Sequence, residues 1–231
     1  MSSAKFSLSG IDLLADLTAA DLGAIAAQCR WQGYAPDQQI IGHLDDTKDV
    51  FFIVQGQVRV TIYSASGKEV SFRDLAAGKS FGELSAIGGA PRSANVIALS
   101  QTMLASMSAD AFNMILRDHP DVSARMMAYL VDLVHKLSDR VVEFSVLAVK
   151  NRIHSELLRL AQETGGNDNT AKLSPSPKHA DIASRVSTHR EAVTRELNAL
   201  AGDGLLDRQS GALIITDVER LKRIVAQGLE A

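Results

Sequence analysis

Phe81-Gly82-Glu83-Leu84-Ser85-Ala86-Ile87-Gly88-Gly89-Ala90-Pro91-Arg92-Ser93-Ala94-Asn95-Val96 carries the densest chemistry of the chain. Gly82 lets backbone come close to a ligand, and a short helical turn after it would aim N–H groups at an anion. Arg92 supplies a planar fork of donors suited to phosphate oxygens, and Ser93 adds a hydroxyl. Glu83 is the informative residue. A carboxylate in a bare phosphate site repels its ligand, but it suits a ligand that presents a hydroxyl beside its phosphate, as a ribose does. Burial would let Arg92 neutralise it. The expected ligand is a sugar phosphate with a free hydroxyl; on these residues alone, a Glu83–Arg92 pair that closes a loop is the alternative.

Around this run lie short β-rich stretches separated by turn residues. Gln39–Ile41, Val50–Val54, Gln57–Tyr63 and Glu69–Leu75 read as strands, and Val96–Met107 as one or two more. Pro36-Asp37, Gly42, Gly56, Ser66-Gly67 and Gly78 break them. Several short strands at near-regular spacing predict a sandwich or barrel, with the cassette at its mouth. Gln55-Gly56 and Ser66-Gly67 are expected to be hairpin turns. Ahead of the strands, residues 17–29 read as a helix with Thr18 as N-cap and Asp21 three residues on. A second short helix is expected over Ala109–Arg117.

After Pro120 the pattern turns helical. Met126, Leu130, Leu133, Leu137 and Phe144 follow steps of four and three, with Arg140 at one seam position and Val134 and Val141 widening the stripe. Such a seam, unbroken from Asp121 to about Val142, predicts a dimerising helix; packing within its own domain is the alternative. Residues 149–163 form another amphipathic helix. Gly165-Gly166-Asn167-Asp168-Asn169-Thr170 reads as a loop.

The C-terminal block reads as helix (Ala180–Val186), tight turn, helix (Thr188–Ala201) and a hairpin around Ser210-Gly211. That is helix-turn-helix spacing. Ala183 is small where two helices approach, and Ile182, Val193 and Leu197 fill the joint core. Ser187 at the turn and Thr188 and His189 at the start of the second helix are counted with the DNA-binding residues. Arg190, Glu191, Thr194 and Arg195 cluster at the start of the second helix, the end that enters a major groove. Arg pairs with guanine O6 and N7, and Glu accepts from cytosine N4.

Composition narrows the classes. Of 231 residues, 46% are apolar and 22% charged, which argues against disorder. No run approaches the ~20 apolar residues of a membrane span, and Met1–Gly10 lacks a signal-peptide pattern, so a cytoplasmic protein without membrane contact is expected. A single cysteine, Cys29, excludes an internal disulfide and a cysteine-built metal cluster. The six histidines show no metal-ligand spacing and read as surface or capping residues. Net charge is −3; residues 1–144 hold 12 Lys/Arg against 16 Asp/Glu, and residues 145–231 hold 12 against 11. Any DNA binding must therefore come from a local patch. Nothing resembles a nucleophile–base pair, so no enzyme is expected.

The run from Phe81 to Val96 closely resembles the phosphate-binding cassette of cyclic-nucleotide-binding domains, shared by bacterial CRP/FNR regulators and eukaryotic cyclic-nucleotide-dependent kinases. Phe51-Phe52-Ile53-Val54-Gln55-Gly56-Gln57-Val58-Arg59-Val60 resembles the same family's strand–Gly–strand signature. Arg190-Glu191 through Arg195 is similar to the recognition helix of the catabolite-activator group of CRP/FNR. Leu205–Arg208 to Ile214-Ile215 resembles its winged hairpin.

The resemblance covers nearly the whole chain. It implies an α+β fold with three parts: a cyclic-nucleotide-binding β-roll (1–119), a dimerisation helix (120–144) and a winged helix-turn-helix (145–231). It implies that Gly82 and Glu83 hold the ribose 2′-hydroxyl and that Arg92 and Ser93 hold the cyclic phosphate. Leu84, Ser85 and Ala94 complete the cassette. Family members with iron–sulfur or haem groups use cysteine arrangements that Cys29 and His43 do not reproduce, so no cofactor is expected. The implied partners are cAMP and/or cGMP, double-stranded DNA with an inverted repeat, a second copy of the chain and RNA polymerase.

Aligned through His119-Pro120-Asp121, the positions that give a Thr and then a Ser to the adenine in the cAMP-specific group are Leu137 and Ser138 here. Arg92-Ser93-Ala94-Asn95 resembles the Arg-Thr-Ala-Asn form of cGMP-dependent kinases, in which the hydroxyl contacts guanine. Three alternatives stand beside this reading: a ligand-binding module that controls a partner protein, an enzyme such as a phosphodiesterase using the same pocket (for which metal ligands are lacking), and a regulator of the same fold with a different ligand or none.

Overall fold

The computed structural model describes residues 7–63, 69–164 and 169–230. The chain divides into two compact units, Met1–Leu133 and Val134–Ala231, and the division falls inside one long helix.

The first unit begins with a helical turn at Asp12–Leu14 and α1 (Ala19–Ala27). Thr18 caps α1 as expected. Its hydroxyl accepts from the Asp21 N–H at 3.2 Å, and the Asp21 carboxylate accepts from the Thr18 N–H at 3.3 Å. Eight strands follow, interrupted by one short helix: β1 (Arg30–Tyr34), β2 (Gln39–Ile41), β3 (Val50–Gln55), β4 (Gln57–Tyr63), β5 (Glu69–Ala76), β6 (Ser80–Phe81), α2 (Glu83–Gly88), β7 (Asn95–Ala98) and β8 (Thr102–Met107). They make two antiparallel sheets, β1-β8-β3-β6 and β2-β7-β4-β5.

β3 explains the core. Its continuous apolar run is buried on both sides because successive side chains point to opposite faces. Phe51 and Ile53 pack inside the roll with Val58, Phe81, Val96 and Leu104. Val50 and Phe52 face the other way, into a cluster with Phe112, Ile115, Val122 and Met126. The last four stand on α3 (Ala109–Asp118) and α4 (Pro120–Val146).

Gln55-Gly56 is not the expected hairpin. β3 and β4 lie in different sheets, so Gly56 turns a corner between them. Its φ is +91°, and a Cβ there would stand 2.5 Å from Thr102 Oγ1, which only glycine avoids. The β1 strand was not anticipated: its polar sequence Arg-Trp-Gln-Gly-Tyr lacks a clear alternation. Ser66-Gly67 lies outside the described residues, as does 165–168 of the expected loop.

α4 is longer than the expected seam. Met126 packs into the core of its own unit, and Leu130 packs against that core. Val134, Leu137, Val141 and Phe144 are exposed along the same helix. Met126 and Leu130 of the seam are therefore internal packing, while its later positions offer apolar surface.

The second unit holds α5 (Val149–Glu163), β9 (Ala171–Leu173), α6 (His179–Arg185), α7 (Arg190–Gly202), β10 (Leu206–Gln209), β11 (Ala212–Ile215) and α8 (Val218–Glu230). The strand order is β10-β11-β9, and β10 pairs with β11 across Gln209↔Ala212, so the expected hairpin at Ser210-Gly211 forms. Ile182, Ala183, Val193 and Leu197 are buried in one core with Ile153, Leu157, Leu205 and Ile215.

The second helix of the pair starts at Arg190, two residues later than expected. Ser187 takes a φ of +52° and His189 is extended, so neither continues a helix. Among the described residues, no helix is long and apolar enough to cross a membrane.

Candidate functional site

The cassette folds as predicted into a tight turn and one short helix. Gly82 has a φ of +90°, and a Cβ there would lie 2.6 Å from the Asp49 carbonyl oxygen and 2.9 Å from the Arg92 guanidinium. The glycine is thus required by the protein's own backbone and arginine. The first-turn N–H groups of α2 have no partner four residues back, as at any helix start. Leu84 is exposed, Ser85 is buried and Ala94 is buried. Ser93 is exposed.

Arg92 is only 2% exposed. Its Nε donates to Thr47 Oγ1 at 3.0 Å, one terminal nitrogen donates to the Gly82 carbonyl at 3.1 Å and the other to the Asp49 carbonyl at 2.8 Å. The guanidinium also lies 5.9 Å from the Phe51 ring centroid. Burial lowers its pKa, while Asp49, Asp45 and Glu83 oppose the shift.

Glu83 is also 2% exposed. Arg92 makes no bond to its carboxylate, so the alternative of a Glu83–Arg92 pair closing the loop does not form. Tyr129 on α4 donates its hydroxyl to Glu83 Oε1 at 3.2 Å, and Arg73 on β5 stands 3.9 Å from the same oxygen. Arg73 donates to the Tyr129 hydroxyl at 2.5 Å, and its guanidinium lies 5.4 Å from the Tyr129 ring centroid. Burial pushes the Glu83 carboxyl above its ordinary range, against its own backbone N–H, Arg73, Tyr129 and Arg92, which pull it down. Burial and the Glu83 charge push the Tyr129 phenol up to about 12, so it keeps the proton it donates.

Arg73 and Tyr129 escaped the sequence reading. The available signal was Tyr129 itself, an aromatic with a polar tip one residue before seam position Leu130.

Leu137 and Ser138 are both exposed on α4, beyond the Leu133/Val134 division. The Ser138 hydroxyl bonds back to the Val134 carbonyl at 2.9 Å.

In the second unit, Arg190, Glu191, Thr194 and Arg195 line one concave face of α7. Arg190, Glu191 and Arg195 are exposed, and Thr194 is half-buried. The Thr194 hydroxyl donates to the Arg190 carbonyl at 3.0 Å and lies 2.8 Å from His179 Nδ1, which ties the reading face to α6. Ser187 and Thr188 are half-buried, and His189 is exposed at the N-cap position.

Two buried polar groups of α5 bond to neighbouring elements. His154 is 1% exposed, not a surface residue as expected, and its Nε2 lies 2.7 Å from Glu196 Oε1 on α7. Burial pushes its imidazole below its ordinary value despite that carboxylate. Glu156 on α5 is fully buried. It accepts from Arg140 of α4 and Arg185 of α6, each at 3.0 Å, and from Arg159. Burial alone would raise its pKa; the three guanidiniums hold it below the usual carboxylate value.

A family model for the cyclic nucleotide-binding domain matches residues 31–119, and one for the Crp-like helix-turn-helix domain matches residues 151–224. The chain is 25% identical over 175 residues to a CRP-like cAMP-activated global transcriptional regulator of Mycobacterium tuberculosis, covering 75% of this chain and 78% of the relative. It is 26% identical over 190 residues to the cAMP-activated global transcriptional regulator CRP of Escherichia coli, covering 82% and 90%.

Among solved structures, a CooA mutant from Carboxydothermus hydrogenoformans matches with a TM-score of 0.80 at 22% identity, over 93% of this chain and 94% of that one. The c-di-GMP responsive global regulator CLP of Xanthomonas campestris matches with a TM-score of 0.70 at 20% identity, over 86% and 99%. These structural likenesses show the α+β fold of roll, long helix and helix-turn-helix.

Proposed function

Because the chain belongs to the CRP/FNR family of cyclic-nucleotide-binding transcription regulators, we propose that it binds cAMP and/or cGMP and reads an inverted-repeat promoter site as a homodimer. Residues 1–119 are the ligand domain, 120–144 the dimer helix and 145–231 the DNA-binding domain. The observation that carries the reading is the pair of buried charges, Glu83 and Arg92, held in one cassette. Glu83 takes a ribose 2′-hydroxyl. A guanidinium has five N–H donors; three of Arg92's are bonded among the described residues, and two are left for phosphate oxygens. Gly82, Leu84, Ser85, Ser93 and Ala94 line the sugar-phosphate side, and Leu137 and Ser138 the base side.

The exposed face of Arg190, Glu191, Thr194 and Arg195 enters the major groove, with Ser187, Thr188 and His189 at the backbone beside it. In a twofold dimer the two faces address successive grooves about 34 Å apart. Val134, Leu137, Val141 and Phe144 supply the dimer seam. Ligand binding acts by favouring the DNA-competent arrangement, which requires tighter binding to that state. The proposed setting is the cytoplasm, with RNA polymerase as a further partner and no cofactor.

The inward bonding of Arg92 favours a second reading, a regulator of this fold that takes another ligand or none. Calorimetric titration with cAMP and with cGMP, followed by mobility shift of a palindromic duplex with and without each nucleotide, separates the two. Absence of heat with both nucleotides sinks the first reading.

A further inference from the structure

We propose that Tyr129 is the positioning residue of the nucleotide site: from the long helix it holds Glu83 for a ligand hydroxyl, with Arg73 fixing the direction of its proton. The inference deepens the cyclic-nucleotide reading above and rests on it.

Three elements meet at one carboxylate. Glu83 opens α2, Arg73 comes from β5 and Tyr129 from α4. A phenol has one proton to donate. Arg73, which can only donate, fills an acceptor site on the Tyr129 oxygen at 2.5 Å. The phenolic proton is therefore committed to Glu83 Oε1 at 3.2 Å. The chain of donors runs one way, from Arg73 to Tyr129 to Glu83.

Two consequences follow for a ligand. Tyr129 and Arg73 both act on Glu83 Oε1, so the sugar hydroxyl is assigned to Oε2. The charge that hydroxyl needs is supported first by Arg73, 3.9 Å from Oε1, and to a lesser degree by the phosphate-side Arg92. A carboxylate left without these partners in so buried a place would favour its protonated form and accept a hydroxyl poorly. Tyr129 also makes the hydroxyl subsite part of the helix that continues into the second unit.

The test is a comparison of cAMP with 2′-deoxy-cAMP on the full-length wild type, Tyr129→Phe and Arg73→Met, by calorimetry. Wild type should prefer cAMP by roughly tenfold to a hundredfold, the worth of one charged hydrogen bond. Tyr129→Phe should lose most of that preference by weakening cAMP alone, with the affinity for 2′-deoxy-cAMP unchanged. Arg73→Met should move the ratio in the same direction. A Tyr129→Phe protein that keeps the wild-type ratio, or that weakens both nucleotides equally, overturns the inference while leaving the cyclic-nucleotide reading standing. A folded wild type that binds neither nucleotide overturns both.

Discussion

The Arg92 guanidinium donates to the Asp49 carbonyl at 2.8 Å and so ties the cassette to the start of β3. The residue expected to serve only a ligand is thus also a structural clamp. Sequence chemistry predicts that Arg92→Ala removes ligand response and leaves the fold intact. The structure changes that expectation. Truncation leaves the Asp49 carbonyl without this donor in a closed site, at about 1–3 kcal/mol. Arg92→Ala should therefore lower the thermal stability of the ligand-free protein as well as nucleotide affinity. Unchanged melting in the absence of nucleotide would contradict the clamp; wild-type affinity in a folded variant would remove Arg92 from the site.

Glu83 makes stability and ligand binding depend on pH in opposite senses. Burial raises its folded pKa above the ordinary 4.5. Above 4.5 the unfolded chain has released this proton while the folded chain still holds it. Its contribution is full below 4.5 and is lost as pH rises through the elevated folded value. A ribose hydroxyl that donates to the carboxylate favours its charged form, so nucleotide binding inside that window should release up to about one proton per protomer. Calorimetry in two buffers of different ionisation enthalpy reads the number directly. Proton uptake, or the same release in Glu83→Gln, would show that another group titrates.

The sequence made the repetitive parts of this molecule legible and hid those that depend on partners distant in the chain. Thr18 with Asp21 is a local cap, and the run of strands carries its own turns. The contrast lies at Gly56. Its glycine marks a turn, but whether the turn joins paired strands or crosses between sheets depends on Thr102, some forty-six positions on. Arg92 was legible as a cation near Glu83, yet its bonding to Thr47 and Asp49 was not, because nothing in a loop of polar residues announces which carbonyl turns inward. His154 was misread for the same reason: its one bonded nitrogen meets Glu196, forty-two residues later.

Glu156 supplies a stability prediction for the second unit. Its carboxylate is shared by Arg140, Arg159 and Arg185, and Arg140 and Arg159 also meet Glu143, so α4, α5 and α6 are joined by charge. Glu156→Gln removes the anion and leaves three partly buried guanidiniums together, at a cost of about 3 kcal/mol. The native pKa is depressed, so the stabilisation is present above the ordinary 4.5 and is lost as pH falls through the lower folded value. Denaturant unfolding at neutral pH and near pH 3 should show the gap between wild type and variant shrinking in acid. A gap that widens in acid would contradict the assignment.

Arg195 lies exposed one helical turn beyond Glu191 on the concave face of α7. Set against a guanine, its fork reads O6 and N7. Arg195→Ala should weaken binding by roughly 1–3 kcal/mol and relax the preference at one base pair of each half-site. By family resemblance each half is expected to carry a TGT- or TGTGA-like core. Competition binding with single-base variants of an inverted repeat measures this. Uniform weakening across all variants would make Arg195 a phosphate contact instead, and a footprint on a non-palindromic site would contradict twofold reading.

On the proposed reading, base selectivity is expected to turn on Leu137. The side chain is 46% exposed and has no hydrogen-bonding group where the cAMP-specific members of the family present a threonine. The next residue, Ser138, has its hydroxyl bonded to Val134 and must break that local bond to reach an adenine. On the other side of the cassette, Ser93 is exposed and can offer a hydroxyl to a guanine amino group when the base is turned over the ribose. On the proposed reading, the pocket lacks one adenine contact and offers one hydroxyl for guanine. A neutral hydrogen bond of this kind is worth about 0.5–1.5 kcal/mol, or up to roughly tenfold in affinity. Both nucleotides should therefore bind, within about tenfold of each other. Leu137→Thr should restore the adenine contact and tilt the ratio toward cAMP, while Ser93→Ala should lower cGMP affinity more than cAMP affinity. A wild-type preference above ~100-fold for either nucleotide exceeds what these two contacts can supply, and would place selectivity in residues other than Leu137 and Ser93.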